Sequence, residues 1–235
     1  FLDVNPKCFQ AIVDYLNELA ISSEDNPPQL PSMPEEHKYV LRHQLDIFGL
    51  SDQMPVMPLE LPDSTIIKDE TQATKLHGWL KEDGSDGDPS LLYRSSRDGR
   101  DDNTFHSKCD DKGCTLTVIE TTCGRIFGGY SNTPWKDGVR KGDNGNWVSA
   151  NKAFLFNLGG DSPCKMKLKN ANDAAVYHHS SGGPTFGYSS VKYDLYVQGQ
   201  NVTTNFGCTY ESGSLPYESG LSNGTSNSIK DMEVF

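Results

Sequence analysis

Residues 114–130 have the sequence CTLTVIETTCGRIFGGY, and this stretch decides the fold because it predicts two β-strands joined by a tight turn. Leu116 and Val118 alternate with threonines in a two-residue period that is typical of a strand. We expect the turn at 123–124, since glycine adopts a positive φ at little cost. The glycine pair at 128–129 is expected to end the regular strand, at a bulge or where another backbone approaches closely.

Composition and charge narrow the function classes. The chain has 235 residues, which is enough for one large or two small domains. Its net charge of -11 at pH 7 argues against a nucleic-acid-binding protein, which needs a basic face, and suits basic or neutral protein partners. We find neither a secretory signal nor an apolar run long enough to cross a bilayer, and therefore expect a cytoplasmic protein without membrane insertion.

The cysteines predict free thiols rather than a disulfide framework, because a chain of this length does not need covalent staples. Cys109 and Cys114 are the closest pair, but their spacing is not Cys-x-x-Cys, and no second pair stands at zinc-finger spacing. Cys114 and Cys123 flank the hairpin and could approach each other across it, which keeps a thiol-based redox protein as an alternative. The six cysteines are Cys8, Cys109, Cys114, Cys123, Cys164 and Cys208.

The N-terminal part predicts two amphipathic helices. Asn5 is a good N-cap and Pro6 a good first residue for a helix over 6–20. Ser32 and Glu35 can form a capping box for a second helix that ends near Phe48. Each helix has an apolar face that needs a partner.

This part resembles the C-terminal portion of a BTB domain of the potassium-channel-tetramerisation type. The run FLDVNPKCF at 1–9 is similar to the F-I-D-R-D-P-x-x-F passage of that family, with Val4 in place of the usual arginine. The run LDIFGL at 45–50 matches the end of a later helix in the family. The resemblance implies a part that mediates homo-oligomerisation or binds a ligase scaffold.

Three prolines, Pro55, Pro58 and Pro62, predict an extended linker. We therefore expect three parts: a BTB-like part at 1–50, a proline-rich linker at 51–60 and a second domain at 61–235. The second domain should begin with a helix capped by Asp63 or Ser64 and continue with short strands and turns, which indicates an antiparallel sandwich. Its strands are predicted at 91–95, 153–158, 165–168, 174–178, 184–187, 194–197, 206–210 and 229–235.

The order of motifs from residue 61 onward resembles a TLDc domain, the module of oxidation-resistance proteins and their relatives. The motifs that carry the resemblance are LYRSSRDG at 92–99, IFGGY at 126–130, AFLF at 153–156, FG at 186–187 before YDLY at 193–196, and IKDMEVF at 229–235. The resemblance implies an α+β fold in which a two-sheet antiparallel sandwich has flanking helices. It implies no established catalytic residues, a role in protection against oxidative stress, and binding to the vacuolar-type proton ATPase.

Few side chains are candidates for a catalytic, cofactor-binding or metal-binding site. His178 and His179 should face opposite sides of a strand and so cannot easily share a metal ion. Glu120 has no nucleophile assigned to it and is better explained as a solvated carboxylate. Trp79, Trp135 and Trp147 are core or interface anchors that the sequence does not rank. We therefore predict no catalytic, cofactor-binding or metal-binding residue.

Taken together, these features favour a non-enzymatic protein–protein interaction adaptor without a cofactor, in which the TLDc-like domain engages a protein target and the BTB-like part assembles copies. The alternatives are a thiol-based redox enzyme that uses Cys109, Cys114 or Cys123, and a structural subunit of a large assembly.

Overall fold

The fold is described from a computed structural model, which describes residues 4–23, 28, 31, 33–50, 61, 63–85, 89–136, 146–159, 163–170, 174–188, 192–212 and 225–235. Its contacts divide the chain into two compact units, Phe1–Pro58 and Leu59–Phe235. The linker predicted at 51–60 lies outside the described residues, so the domain boundaries stay a prediction. The described residues form five helices and eleven strands.

The first unit contains the two predicted helices, α1 (Pro6–Ile21) and α2 (Glu35–Ile47). The Asn5 side chain accepts hydrogen bonds from the backbone N–H groups of Lys7 and Cys8, as expected for an N-cap. Ser32 of the predicted capping box lies outside the described residues. The two helices share an apolar cluster formed by Cys8, Ile12, Tyr15, Leu41 and Leu45.

The second unit has three helices, α3 (Glu70–Glu82), α4 (Ser95–Asp98) and α5 (Asp102–Cys109). The predicted cap of α3 was wrong: Asp69 caps the helix and accepts from the N–H groups of Thr71 and Gln72. Asp63 instead has a φ of 67°. The Ser64 hydroxyl donates a hydrogen bond to Glu233, which is 169 residues away in the chain. Tertiary bonds therefore hold this segment outside the helix.

The strands of the second unit pair antiparallel in the order β4-β7-β8-β9-β10-β11-β2-β3-β5-β6, with β1 also paired to β11. They are β1 (Tyr93–Arg94), β2 (Thr115–Thr121), β3 (Ile126–Ser131), β4 (Asn146–Ser149), β5 (Phe154–Asn157), β6 (Cys164–Lys167), β7 (Ala174–His178), β8 (Thr185–Phe186), β9 (Leu195–Gln198), β10 (Asn201–Thr204) and β11 (Thr225–Val234).

Strand β11 belongs to both halves of this sheet. Its first residues, 225–228, pair with β10, whereas 229–234 pair with β2, and the register shifts between Ile229 and Asp231. The two halves enclose a common core, in which the rings of Phe127 and Phe206 lie 6.4 Å apart. The unit is therefore α+β with a large antiparallel sheet that folds like a sandwich, as predicted.

Helix α3 covers the outer face of the half that contains β2, β3 and β5. Leu116 and Val118, the alternating residues of the opening stretch, pack with Leu76 in this outer cluster. Ile119 belongs instead to the core between the two halves. The alternation in β2 thus separates two apolar layers, rather than a core from solvent, which is why both faces of this strand are buried.

The central hairpin forms as predicted, but its second strand does not end at the glycine pair. Gly124 has a φ of 78° in the turn, whereas β3 continues through 128–129 to Ser131. A Cβ on Gly128 would collide with the carbonyl oxygen of Thr117, and one on Gly129 would lie 2.7 Å from the ring of Phe186. Of the two expected reasons for the glycine pair, a bulge or the close approach of another backbone, the second is therefore correct for Gly128.

Four strand assignments differ from the sequence-based ones. The segment 206–210 is a turn and not a strand, because it wraps around the buried carboxylate of Asp194. The predicted strand at 91–95 shrinks to the two residues of β1, since α4 begins at Ser95. Strands β4 and β10 were missed, because both are short and polar.

Candidate interaction surface

Polar side chains of β1 and α4 bind two buried acids of β11, Asp231 and Glu233. Arg94 donates from Nε to Glu233 Oε1 at 2.9 Å. The hydroxyls of Ser95 and Ser96 donate to the two oxygens of Asp231, at 2.7 and 2.6 Å. The sequence runs LYRSSRDG and IKDMEVF therefore meet in space, although Ser95 and Asp231 are 136 residues apart in the chain.

Glu233 also fixes the segment that precedes α3. Its side chain is fully buried and accepts from the Ser64 hydroxyl at 2.6 Å and from the Thr65 N–H at 2.7 Å. Burial raises the pKa of Asp231, but the bonds from the Ser96 and Ser95 side chains outweigh it, so that its pKa is lowered overall. The carboxylate oxygens of Asp231 and Glu233 thus accept hydrogen bonds from within the fold, and these bonds hold β11 in place.

A second buried acid shapes the turn at 206–210. Asp194 accepts from the backbone N–H groups of Gly207, Cys208 and Thr209, at 3.0, 2.9 and 2.7 Å. Burial raises the pKa of Asp194, and the bonds from this turn oppose that rise. Gly187 has a φ of 62°, and a Cβ there would collide with the Asp194 carboxylate. The contact between Gly187 and Asp194 therefore accounts for the glycine of the FG run and the aspartate of the YDLY run.

The predicted opposite orientation of the two adjacent histidines is confirmed. His178 is buried and its ring contacts Trp135, whereas His179 is half-exposed and stacks on Tyr177. Within the described part of the chain, no group of three or more His, Cys, Asp or Glu side chains could hold a metal ion.

Sequence reasoning missed His106, a buried histidine whose two ring nitrogens both face acceptors. Nδ1 lies 2.9 Å from Asp110 Oδ1, and Nε2 lies 2.9 and 3.0 Å from the carbonyl oxygens of His179 and Gly182. Burial lowers the pKa of His106, but the bond and the charge of Asp110, helped by the carbonyls, raise it overall. The ring therefore ties α5 to the segment that follows β7, and its protonated form can donate from both nitrogens.

His106 should make the free energy of unfolding depend on pH. The unfolded chain has a His pKa of about 6.5, and the folded pKa lies above it. The stabilisation is therefore fully present below the unfolded pKa and is lost as pH rises through the folded pKa. We expect His106→Gln to cost more stability at about pH 6 than at about pH 8, as measured by urea unfolding.

His178→Gln is the matched control, because burial lowers the pKa of His178. Its neutral ring is favoured in the fold, so the contribution of His178 is lost as pH falls, and the trend should be opposite. An equal cost of His106→Gln at both pH values would show that folding does not raise the pKa of His106.

The six cysteines are free thiols. Cys114 and Cys123 do not approach each other, because they lie at opposite ends of the seven-residue strand β2. Burial raises the pKa of Cys109. Cys123 is exposed in the hairpin turn, and its pKa is lowered, chiefly by a hydrogen bond with the Thr121 hydroxyl at 3.1 Å. Glu120, at the same end of the hairpin, pairs with Lys230 at 2.8 Å.

The three tryptophans have different environments, which the sequence alone did not distinguish. Trp135 is 1% exposed in the core, where its Nε1–H donates to Thr115 Oγ1 at 2.8 Å. Trp79 is partly buried against the cluster beneath α3. Trp147 is half-exposed on β4, and its ring neighbours those of three tyrosines. It is therefore the tryptophan placed to anchor a partner.

Trp147 belongs to a continuous group of rings, which we call the aromatic surface. Its ring centroid lies 4.5 Å from that of Tyr177, 5.1 Å from that of Tyr188 and 6.1 Å from that of Tyr193. Tyr193 continues the group to Tyr196 at 4.9 Å. The angles between these ring planes are 26–33°, so the rings are offset-stacked or moderately tilted.

The rings stand on the side of the sheet that faces away from the core. Val176 and Leu195 belong to the core, so the next residue on each strand, Tyr177 or Tyr196, projects outward. Trp147 and Tyr177 are direct cross-strand partners. Tyr188 is 40% exposed, and the other four rings are half-buried. Tyrosine and tryptophan exposed together in this way are typical of binding hot spots.

Sequence reasoning missed this surface because strand β4 was not recognised. The signal that could have found it is the spacing of Tyr188, Tyr193 and Tyr196, which places three tyrosines around the start of one strand. Pairing of Trp147 with Tyr177 depends on β4, whose four residues carry no alternating pattern.

Comparison with known proteins identifies the second unit. A family model described as the TLDc domain matches residues 61–235. The chain belongs to the TLDc domain family. TBC1 domain family member 24 of Xenopus tropicalis is 28% identical over 80 residues, which are 34% of this chain and 14% of that relative. The protein of the same name from Xenopus laevis is 26% identical over 80 residues. The chain thus spans 14% of the length of either relative.

The TLDc domain includes the aromatic surface, the polar cluster on β11 and the turn around Asp194. Across the described residues, we find no helix with both the length and the apolar character needed to cross a membrane.

Proposed function

We propose that this TLDc protein is a non-enzymatic adaptor that binds other proteins through the aromatic surface. The observation that carries the proposal is a continuous group of one tryptophan and four tyrosines, all at least partly exposed, with 4.5–6.1 Å between neighbouring ring centroids. Large rigid aromatic side chains lose little conformational entropy on binding and contribute most where they cluster. The buried acids have structural partners, which is consistent with a binding role.

The finer parts of the proposal come from the resemblances. The TLDc resemblance supports a role in protection against oxidative stress, with the vacuolar-type ATPase as a candidate partner in the cytoplasm. The resemblance of residues 1–50 to a BTB domain supports a part that forms homo-oligomers or binds a ligase scaffold. An adaptor of this kind would present several TLDc domains at once and gain avidity.

Affinity capture with the tagged full chain tests the adaptor function. Replacing both Trp147 and Tyr193 by serine should reduce capture of the specific partners at least about tenfold, since central aromatic residues are worth about 2 kcal/mol or more each. Quantitative mass spectrometry of proteins from the source cells compares the variant with the unchanged chain. Subunits of the vacuolar-type ATPase among the lost proteins would support the finer proposal.

Asn201→Ala is the matched control, because Asn201 is exposed on β10 of the same half of the sheet. It should leave capture unchanged. Equal capture by the double variant, with its fold verified by circular dichroism, would contradict a docking role for the aromatic surface.

A thiol-based redox protein is the second candidate, and Cys123 is the observation that favours it, because its thiol is exposed and its pKa is lowered. Cys123→Ser separates the two candidates in the same capture experiment. The adaptor predicts unchanged capture, whereas partners held through a mixed disulfide would be lost with this variant and released by a reductant.

A further inference from the structure

The half of the sheet that carries the aromatic surface has an unusual composition. Strands β4, β7, β8, β9 and β10 have the sequences NWVS, AAVYH, TF, LYVQ and NVTT, and none contains Asp, Glu, Lys or Arg. Charged residues make up 23% of the whole chain. The strands that carry Trp147, Tyr177 and Tyr196 therefore contain no residue with a formal charge.

A carboxylate is positioned beside one end of the aromatic surface. Asp102 lies at the first turn of α5, and its Oδ1 accepts from the N–H of Gly199 at 3.1 Å in the turn between β9 and β10. Gly199 follows directly after β9, the strand that carries Tyr196, so this hydrogen bond holds the carboxylate at the end of that strand. Burial raises the pKa of Tyr196, and the charges of Tyr193 and Asp102 raise it further. Asp102 is half-exposed and accessible to a partner.

Stacked π-rings beside an oriented carboxylate match the chemistry of an arginine side chain. A guanidinium is planar, stacks on aromatic faces and pairs with a carboxylate through two parallel N–H groups. The net charge of -11 also attracts a basic segment over a longer range. A lysine offers the same charge without the planar stacking.

We propose that the aromatic surface and Asp102 bind an arginine-rich segment of a partner protein. This inference rests on the proposed adaptor function and names the chemistry of the partner. Lys192 is exposed and directly precedes Tyr193 in the sequence. Its positive charge opposes the binding of an arginine-rich segment. Its removal should therefore strengthen binding.

The test uses the full chain labelled with 15N and a short capped peptide of glycine, serine and arginine. Two matched peptides replace every arginine by lysine or by glutamine. The indole N–H signals of Trp79, Trp135 and Trp147 are assigned with single Trp→Phe variants. We expect the arginine peptide to shift the Trp147 signal and to leave the Trp135 signal in place, with affinity falling in the order arginine, lysine, glutamine.

Variants of the chain then show which residues contribute to the affinity for the arginine peptide. Tyr193→Ser should weaken the arginine peptide about fivefold, in line with the loss of one cation–π contact, and Asp102→Asn should weaken it in a salt-dependent manner. Lys192→Glu should tighten it, and Asn201→Ala should leave it unchanged.

Equal affinity for the arginine and glutamine peptides would overturn the inference, as would binding that survives Tyr193→Ser unchanged. A proline-rich peptide that shifts the Trp147 signal when the arginine peptide does not would assign the surface to a different partner chemistry. In both cases the capture experiment with the Trp147 and Tyr193 variant still decides the adaptor function, because it uses no assumption about charge.

Discussion

Gly128→Ala should destabilise the TLDc unit by about 3 kcal/mol or more, at the upper end of the cost of overpacking. The new Cβ would collide with the Thr117 carbonyl oxygen and lie 2.8 Å from the ring of Phe156. The first contact is with backbone in the centre of the sheet, so relief requires the β2–β3 pair to separate rather than a side chain to rotate. Urea unfolding of the full chain, followed by tryptophan fluorescence, measures this loss, since all three tryptophans lie in the unit 59–235.

Gly78→Ala is the control for this substitution. Gly78 lies within α3, and a Cβ there would meet nothing within 4 Å. Alanine favours a helix over glycine by about 0.5–1 kcal/mol, so this variant should be slightly more stable than the unchanged chain. A Gly128→Ala protein that unfolds at the same urea concentration as the unchanged chain would show that β2 and β3 can separate at little cost.

Glu233→Gln should have the second large effect, a loss of about 3–5 kcal/mol, which is the usual cost of breaking a buried ion pair from one side. Glu233 is fully buried and accepts from Arg94, Ser64 and Thr65. A glutamine keeps the shape but leaves the Arg94 guanidinium without its charge partner. The NH2 group of the glutamine would also face one of the donors that Glu233 now accepts from. The same unfolding measurement applies.

Glu120→Gln is the matched control, because it breaks a surface ion pair between β2 and Lys230 of β11. The Lys230 side chain that pairs with Glu120 is 62% exposed, so the expected loss is at most about 1 kcal/mol. Equal losses in the two variants would mean that the charge of Glu233 contributes no more than a surface charge.

Sequence reasoning succeeded where short-range physics decides the structure. Asn5 caps α1, Gly124 makes the hairpin turn, and β7 has the predicted bounds, since each depends on neighbouring residues alone. It failed where a distant group decides. Asp69 rather than Asp63 caps α3, because bonds to a strand far away in sequence hold the preceding segment out of the helix.

The candidate site was less predictable than the fold, for a related reason. The aromatic surface needs strand β4 to place Trp147 opposite Tyr177, and no local pattern marks that strand. The motif residues were found in sequence, but the contacts among them, such as Asp194 with Gly187, explain them only in three dimensions.

The shared strand β11 has a consequence for the timing of folding in the cell. It is the last strand that the structure describes along the chain, yet it stands between β10 and β2, at the centre of the sheet order. During synthesis the ribosome delivers β1 to β10 first, so the two halves remain unjoined, with open edges, until β11 emerges. A chaperone that shields those edges on the nascent chain would act in the interval before β11 closes the sheet.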